Sequence, residues 1–298
     1  MTTYAGSRRR RGRNAGIVLL FLAPSAIPLL LFTFIPMVTS LWVSLHSWNL
    51  LTPMRWVGLR NYSSLLTDGM TRAALLHTLE YIGGYLPLVY AGGLGLAVVL
   101  NRRLKGRNFF RSLYFIPVVT SWVVVALTWQ WLLSPANGLV NHWLSLIGIH
   151  GPGWWASTTW AIPAVILASV WKDIGFVMVI LLVGLQGVPQ DLLDAARVDG
   201  ASAWTRFWRI TFPLLSPATY FVVVISLING FQVFDQVYVM TGGGPNNASQ
   251  TLLLDIYNQT FRYQLVGRAS ALSWLLFVLV MAVTVVQSRL QKRWVVYA

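Results

Sequence analysis

Six stretches of this chain are long and apolar enough to cross a bilayer: roughly residues 17–43, 75–100, 109–133, 160–186, 216–240 and 269–286. A spanning helix needs about 20 mainly apolar residues, and a strand of a membrane barrel only about ten. Backbone polar groups in lipid must find partners inside the protein, so stretches of this length read as helices. Composition agrees. Only 10% of residues are charged, against about 25% in soluble proteins. The 15 Trp, 11 Tyr and 14 Phe are ample for aromatic belts at the two interfaces. The expectation is an all-α polytopic membrane protein with six transmembrane helices. Soluble globular folds and disorder are both excluded. With no cysteine and only four scattered histidines, His46, His77, His142 and His150, no metal site is expected.

The cationic residues alternate along the chain. Arg8, Arg9, Arg10, Arg11 and Arg13 precede helix 1. Arg102, Arg103, Lys105, Arg107 and Arg111 lie between helices 2 and 3. Arg197, Arg206 and Arg209 lie between helices 4 and 5, and Arg289, Lys292 and Arg293 follow helix 6. These are 16 of the 22 Lys and Arg; only Arg55, Arg60, Arg72, Arg262 and Arg268 fall on the opposite side. By the positive-inside rule both termini are cytoplasmic, and the first helix reads as a retained anchor. The net charge of +14 is then topogenic, and no nucleic-acid partner is expected. The long loops at 46–74, 134–159 and 241–268 are external. No internal repeat is visible, so an inverted-repeat secondary transporter gains no support. The glycines of helix 2, from Gly83 to Gly95, suit close helix packing.

The cytoplasmic run GVPQDLLDAARVDGASAWTRFWRITFPLLSP, residues 187–217, is structured by its own turn chemistry. Pro189 stands where a helix begins. Asp191 and Asp194 favour its N-terminal dipole, and Arg197 lies on the same face as Asp194. Gly200 suits a left-handed corner. Ser202 caps a second helix carrying Phe207, Trp208 and Ile210, and Pro213 ends it near the membrane. On these grounds alone two readings stay open: an amphipathic helix lying on the headgroups, or a projection that docks a partner.

The run Asp194-Ala195-Ala196, three residues, Gly200, nine residues, Ile210, two residues, Pro213 resembles the EAA loop of binding-protein-dependent ABC importer permeases. Asp194 replaces the usual Glu and Phe212 the usual Leu. Three further segments resemble the branch that includes maltose, glycerol-3-phosphate and trehalose permeases. They are Gly58-Leu59-Arg60-Asn61-Tyr62, Tyr114-Phe115-Ile116-Pro117, and the run FDQVYVMTGGGP from Phe234 to Pro245. The resemblance is firmest over 75–287, which it makes the permease core. It sets that core apart from a basic tail at 1–16, an anchor helix with its loop at 17–74, and a tail at 288–298. It implies the type I importer fold and a bacterial inner-membrane, multi-pass location. It also implies that Asp194, Ala195, Ala196, Asp199, Gly200, Ala201, Arg206, Ile210 and Pro213 couple to a separate ATPase. The chain holds three lysines, Lys105, Lys172 and Lys292, none in a GxxxxGK[ST] loop. ATP and Mg²⁺ are therefore expected on an ATPase homodimer, and no cofactor on this chain.

Four ionisable residues fall within or near spans: Glu80, Lys172, Asp173 and Asp235. Such groups are costly and are functional candidates by default. Adjacent Lys172 and Asp173 do not share a helix face; a water-lined cavity would satisfy both. On helix 5, Ser226, Asn229, Gly230 and Val233 share one stripe, with Asn229, Gln232 and Gln236 along its edge. These can tie helices together or line a cavity for a hydroxyl-rich solute. Trp122, Trp129 and Phe176 are available as aromatic faces for such a solute. Family positions that touch sugar map near Ser169, Lys172, Asp173 and Phe176, near Ser226, Asn229, Gly230 and Val233, and near Val118 and Trp122. The resemblance implies half of a carbohydrate pathway, completed by a second homologous permease and fed by an extracytoplasmic solute-binding protein. A proton-coupled secondary transporter is the alternative.

Overall fold

In the computed structural model, residues 20–102 and 104–296 are described. The arginines at positions 8–13, Arg103 and the ends of both tails lie outside them. The chain is helical almost throughout. Helix α1 spans Leu20–Ser44, followed by a two-residue hairpin, β1 His46–Ser47 with β2 Arg55–Trp56. Then come α2 Arg60–Thr67, α3 Gly69–Asn101, α4 Arg107–Val119, α5 Trp122–Leu132, α6 Leu139–Leu146 and α7 Ala161–Gln186. The second half holds α8 Gln190–Val198, α9 Ala203–Leu214, α10 Ser216–Phe231, α11 Asp235–Met240, α12 Leu252–Tyr257 and α13 Val266–Trp294.

Four of the six expected spans are single helices: α1, α3, α7 and α13. The other two are broken. Helices α4 and α5 meet at 100°, and α9 and α10 at 63°. The expected third span therefore splits at Thr120-Ser121, three residues past Pro117, which leaves one helical hydrogen bond unmade. The expected fifth span stops at Phe231 and resumes as α11, because Phe234 takes a non-helical conformation, φ −141° and ψ −65°. Helix α3 starts six residues before its apolar stretch. Asp68 caps it by accepting from the Thr71 amide at 3.0 Å. Such a cap extends a helix beyond its apolar window.

Successive spans alternate in direction. Tyr114 and Pro117 of α4 lie against Gly175 and Lys172 of α7, so those two run antiparallel. Ile82 and Tyr90 of α3 lie against Gly230 and Thr219 of α10, again antiparallel. Two spans apart in sequence, α3 and α7 run parallel, with Gly84 on Ile166 and Gly93 on Val177. Their contact is the core of the molecule. Val89 and Ala97 of α3 and Ala164, Ala168, Met178 and Leu181 of α7 are all fully buried. A Cβ on Gly93 would stand 2.5 Å from Val177 Cγ1, so glycine is what permits this close approach, as in small-residue packing between membrane helices. The alternation puts 190–214 at one end, the basic end, and the loops 46–68, 133–160 and 241–265 at the other, the loop end.

Candidate solute cavity and docking segment

A cavity of about 210 Å³ opens between α3, α5, α7 and the break between α10 and α11. Tyr81 and Tyr85, one helical turn apart on α3, stack at 5.3 Å and 8° along one wall. Asp173, the thirteenth of 26 residues in α7, lines the cavity beside them and accepts from the Tyr85 hydroxyl at 2.8 Å. Trp122 covers a third side from the first turn of α5. Asn229, Gln232, Val233 and Phe234 come from the helix break, with Asp235 and Gln236 from the start of α11. The break is held open by its own partners. Thr251 Oγ1 donates to the Val233 carbonyl at 3.1 Å, and Gln236 Nε2 donates to the Tyr81 hydroxyl at 3.3 Å. The lining thus combines amides and carboxylates with aromatic faces.

The expected solute residues divide on inspection. Trp122, Asp173, Asn229, Gln232 and Val233 meet at this cavity. Lys172 does not line it. Its Nζ donates to the Pro117 and Val118 carbonyls at 3.0 and 2.8 Å and lies 5.0 Å from the centre of the Trp122 ring. The carbonyls at the end of α4 take the ammonium, which is why the cavity lining expected for Lys172 does not hold. Val118 likewise contributes its carbonyl to this brace. Ser169 is fully buried and donates to the Val165 carbonyl of its own helix at 2.8 Å. Ser226 is also buried. Phe176 is half-buried and outside the lining; Gly230 is buried and also outside it, where α10 backs onto Ile82 of α3. Tyr81 and Tyr85 were not anticipated. Their only signal is two tyrosines spaced by four in an apolar, glycine-rich helix.

At the basic end, residues 190–214 project from the bundle, and none is buried. Pro189 precedes α8, Gly200 turns the corner at φ +78°, and Ser202 accepts from the Thr205 amide at 3.2 Å to start α9. The corner is closed by Arg206 Nη1 on the Ala201 carbonyl. Asp194 pairs with Arg197 at 2.8 Å, both more than half exposed, a geometry that contributes little stability. Ala195, Ala196 and Asp199 lie on the exposed α8 and corner, with Ile210 and Pro213 half-buried nearer the membrane. Val198 is 89% exposed and Trp204 72%.

At the loop end a second polar knot ties α3, α12 and α13. Arg268 pairs with Asp68 at 3.0 Å, and the Thr71 hydroxyl reaches Asp68 and Asp255 at 2.9 and 3.3 Å. Burial raises the Asp255 carboxyl above its usual range, against hydrogen bonds from Gln259 and Thr71. Burial also acts upward on Asp68, but the Thr71 bonds and Arg268 outweigh it and hold that carboxyl below its usual value.

An alternating bundle of apolar spans, a polar mid-membrane cavity and a projecting two-helix segment define a multi-pass membrane permease. The chain belongs to the family described as binding-protein-dependent transport system inner membrane component, whose profile matches residues 89–296. It is 34% identical over 285 residues to the probable ABC transporter permease protein YurN of Bacillus subtilis, covering 94% of this chain and 97% of that one. It is 36% identical over 277 residues to the trehalose/maltose transport system permease protein MalF of Thermococcus litoralis, covering 92% and 93%. Among solved structures, a bacterial alginate ABC transporter in complex with an alginate pentasaccharide-bound periplasmic protein superposes with TM-score 0.85. That match covers 97% of this chain and 98% of that one at 22% identity, a likeness of fold.

Proposed function

We propose that this chain forms half of the translocation pathway of an ATP-driven carbohydrate importer, with 75–287 as its permease core. The observation that carries the reading is the projection 190–214, a 25-residue helix pair with no buried residue and with Val198 and Trp204 bare. Apolar side chains held in fixed geometry yet left open to solvent, as Val198 is and as Trp204 is beside Trp208, are what a docking partner covers. The excess of Lys and Arg at the same end makes it the cytoplasmic one, and with it both termini. The partner there is an ATPase dimer that binds ATP and Mg²⁺; this chain binds neither. A second, homologous permease supplies the other half of the pathway, and an extracytoplasmic binding protein delivers solute to the loop end.

The cavity supports a carbohydrate. Its amides and carboxylates match hydroxyl donors and acceptors, and Trp122, Tyr81 and Tyr85 offer faces to sugar C–H surfaces. The similarity to a trehalose/maltose permease over more than nine-tenths of the chain supports the same class. ATP binding closes the ATPase dimer, moves the projection, and transmits that motion through the α9–α10 elbow to the helix break beside the cavity. The test is co-purification after mild detergent extraction, followed by reconstitution in vesicles. Sugar uptake that needs ATP and the co-purified ATPase is expected. Uptake by this chain alone, driven by a proton gradient, would overturn the reading in favour of a secondary transporter.

A further inference from the structure

Two carboxylates line the cavity, and among the described residues neither is in an ion pair; the cation next in sequence, Lys172 beside Asp173, acts on it only from outside the lining. Asp173 and Asp235 both line it, and no Lys, Arg or His does. Among the described residues the ion pairs are Asp194 with Arg197 and Asp68 with Arg268; neither cavity carboxylate is in one. The cation at the same depth, Lys172, is turned away, its ammonium taken by the Pro117 and Val118 carbonyls and the Trp122 face. Asp173 has a single hydrogen-bond donor, the Tyr85 hydroxyl. A carboxylate has acceptor sites for about four, so most of its capacity faces the cavity. At about 210 Å³ the space equals that of about seven waters, room for one sugar ring at a time.

Resting on the carbohydrate reading above, we propose that this cavity selects its sugar by charge. It holds a sugar ring bearing a protonated amine in preference to the neutral ring, and it rejects an acidic one. The physical reason is that a carboxylate partly withdrawn from bulk water, as Asp173 is, attracts a cation and repels an anion more strongly than in solution. An ammonium on the ring donates charge-assisted hydrogen bonds, roughly twice as strong as those of the hydroxyl it replaces. A uronic acid brings a third carboxylate into the same space. Asp173, at mid-height and held in one orientation by Tyr85, is the main specificity residue. Asp235, exposed at the start of α11, adds to the field.

The test uses the complete transporter in lipid nanodiscs without its binding protein, at mildly acidic pH where the sugar amine is protonated. Glucosamine differs from glucose by an amine in place of the C2 hydroxyl, and glucuronate by a carboxylate at C6. Saturation-transfer NMR titrations measure their affinities for wild type, Asp173→Asn and Asp235→Asn, each first checked for monodispersity. Glucosamine is expected to bind about tenfold tighter than glucose, with no saturation transfer to glucuronate. Asp173→Asn should bring glucosamine and glucose within about twofold of each other, and Asp235→Asn should narrow the gap partway. Glucose and glucosamine binding equally to wild type would overturn the charge selection and leave the carbohydrate reading standing. So would a preference that survives in both variants. Failure of all three sugars to bind wild type would overturn the carbohydrate reading itself, and the selection with it.

Discussion

The Lys172 ammonium donates to the Val118 carbonyl at 2.8 Å, and so fastens the middle of one span to the break in another. The Pro117 carbonyl, at 3.0 Å, shares the ammonium. Val119 closes α4, and the extended pair Thr120-Ser121 separates it from Trp122 at the head of α5. The helix thus ends before its last carbonyls reach amides four residues on; the Thr120 amide reaches Pro117 at 3.2 Å, and the lysine supplies a donor to both carbonyls. The brace also sets where Trp122 stands over the cavity.

Lys172→Met should destabilise the folded chain by about 2 kcal/mol, the cost of leaving charged hydrogen bonds unmade, and Lys172→Arg by less. Thermal unfolding in detergent, followed by tryptophan fluorescence, checks the order.

Gly200 holds φ +78° with nothing near its Cβ position. The obstacle to a side chain there is backbone conformation, costing about 1–3 kcal/mol for a β-branched residue. Gly200→Val should reduce recovery of the ATPase with this chain, while the chain still inserts and stays monodisperse. Pull-down yield after mild extraction is the measurement, and full recovery would show that the corner is not needed for docking.

Asn229 lines the cavity at the last turn of α10. Asn229→Leu keeps the bulk and removes both hydrogen-bonding groups. Solute affinity should weaken by about 1–3 kcal/mol, the cost of an unmatched polar partner in a desolvated site, with the complex still assembled. Loss of assembly would make Asn229 a tie between helices.

Asp68 gives a pH dependence. Its carboxyl is held below its usual value of 3.8, burial being outweighed by Thr71 and Arg268. A lowered folded value means stabilisation that is present above the unfolded value and lost as pH falls through the folded one. The melting temperature of wild type should therefore drop on acidification below 3.8, and that of Asp68→Asn, which keeps a capping oxygen, should drop less. Parallel pH profiles that coincide would remove the Asp68–Arg268 pair from the account.

Much of this architecture was legible in the sequence because hydropathy and turn chemistry act locally. The apolar windows located four spans as single helices and the region of the two broken ones without their breaks, and Pro189, Gly200 and Ser202 marked the corner of the projection residue by residue. What could not be read depends on neighbours distant in sequence. Lys172 looked like a solute group because a mid-span ammonium needs a partner, and the partner is a pair of backbone carbonyls 54 and 55 residues away. Tyr81 and Tyr85 carried no signal beyond their spacing in the sequence; Asp173 meets the Tyr85 hydroxyl across 88 residues. The break at Gln232 was not legible because its stabilising bond comes from Thr251, distant in sequence, while the polar residues around it could equally have sat in a continuous helix.

ATP on a partner, acting through the 190–214 projection, is expected to open and close the cavity beside Asn229. The chain has no cysteine, so Asn229→Cys introduces a unique thiol. Its rate of labelling by a small maleimide is measured by mass on this chain alone, in the full complex in nanodiscs, with and without ATP and vanadate. The account predicts that the rate changes about tenfold or more on trapping, and that adding Gly200→Val abolishes the change. A labelling rate that is the same with and without ATP would contradict it.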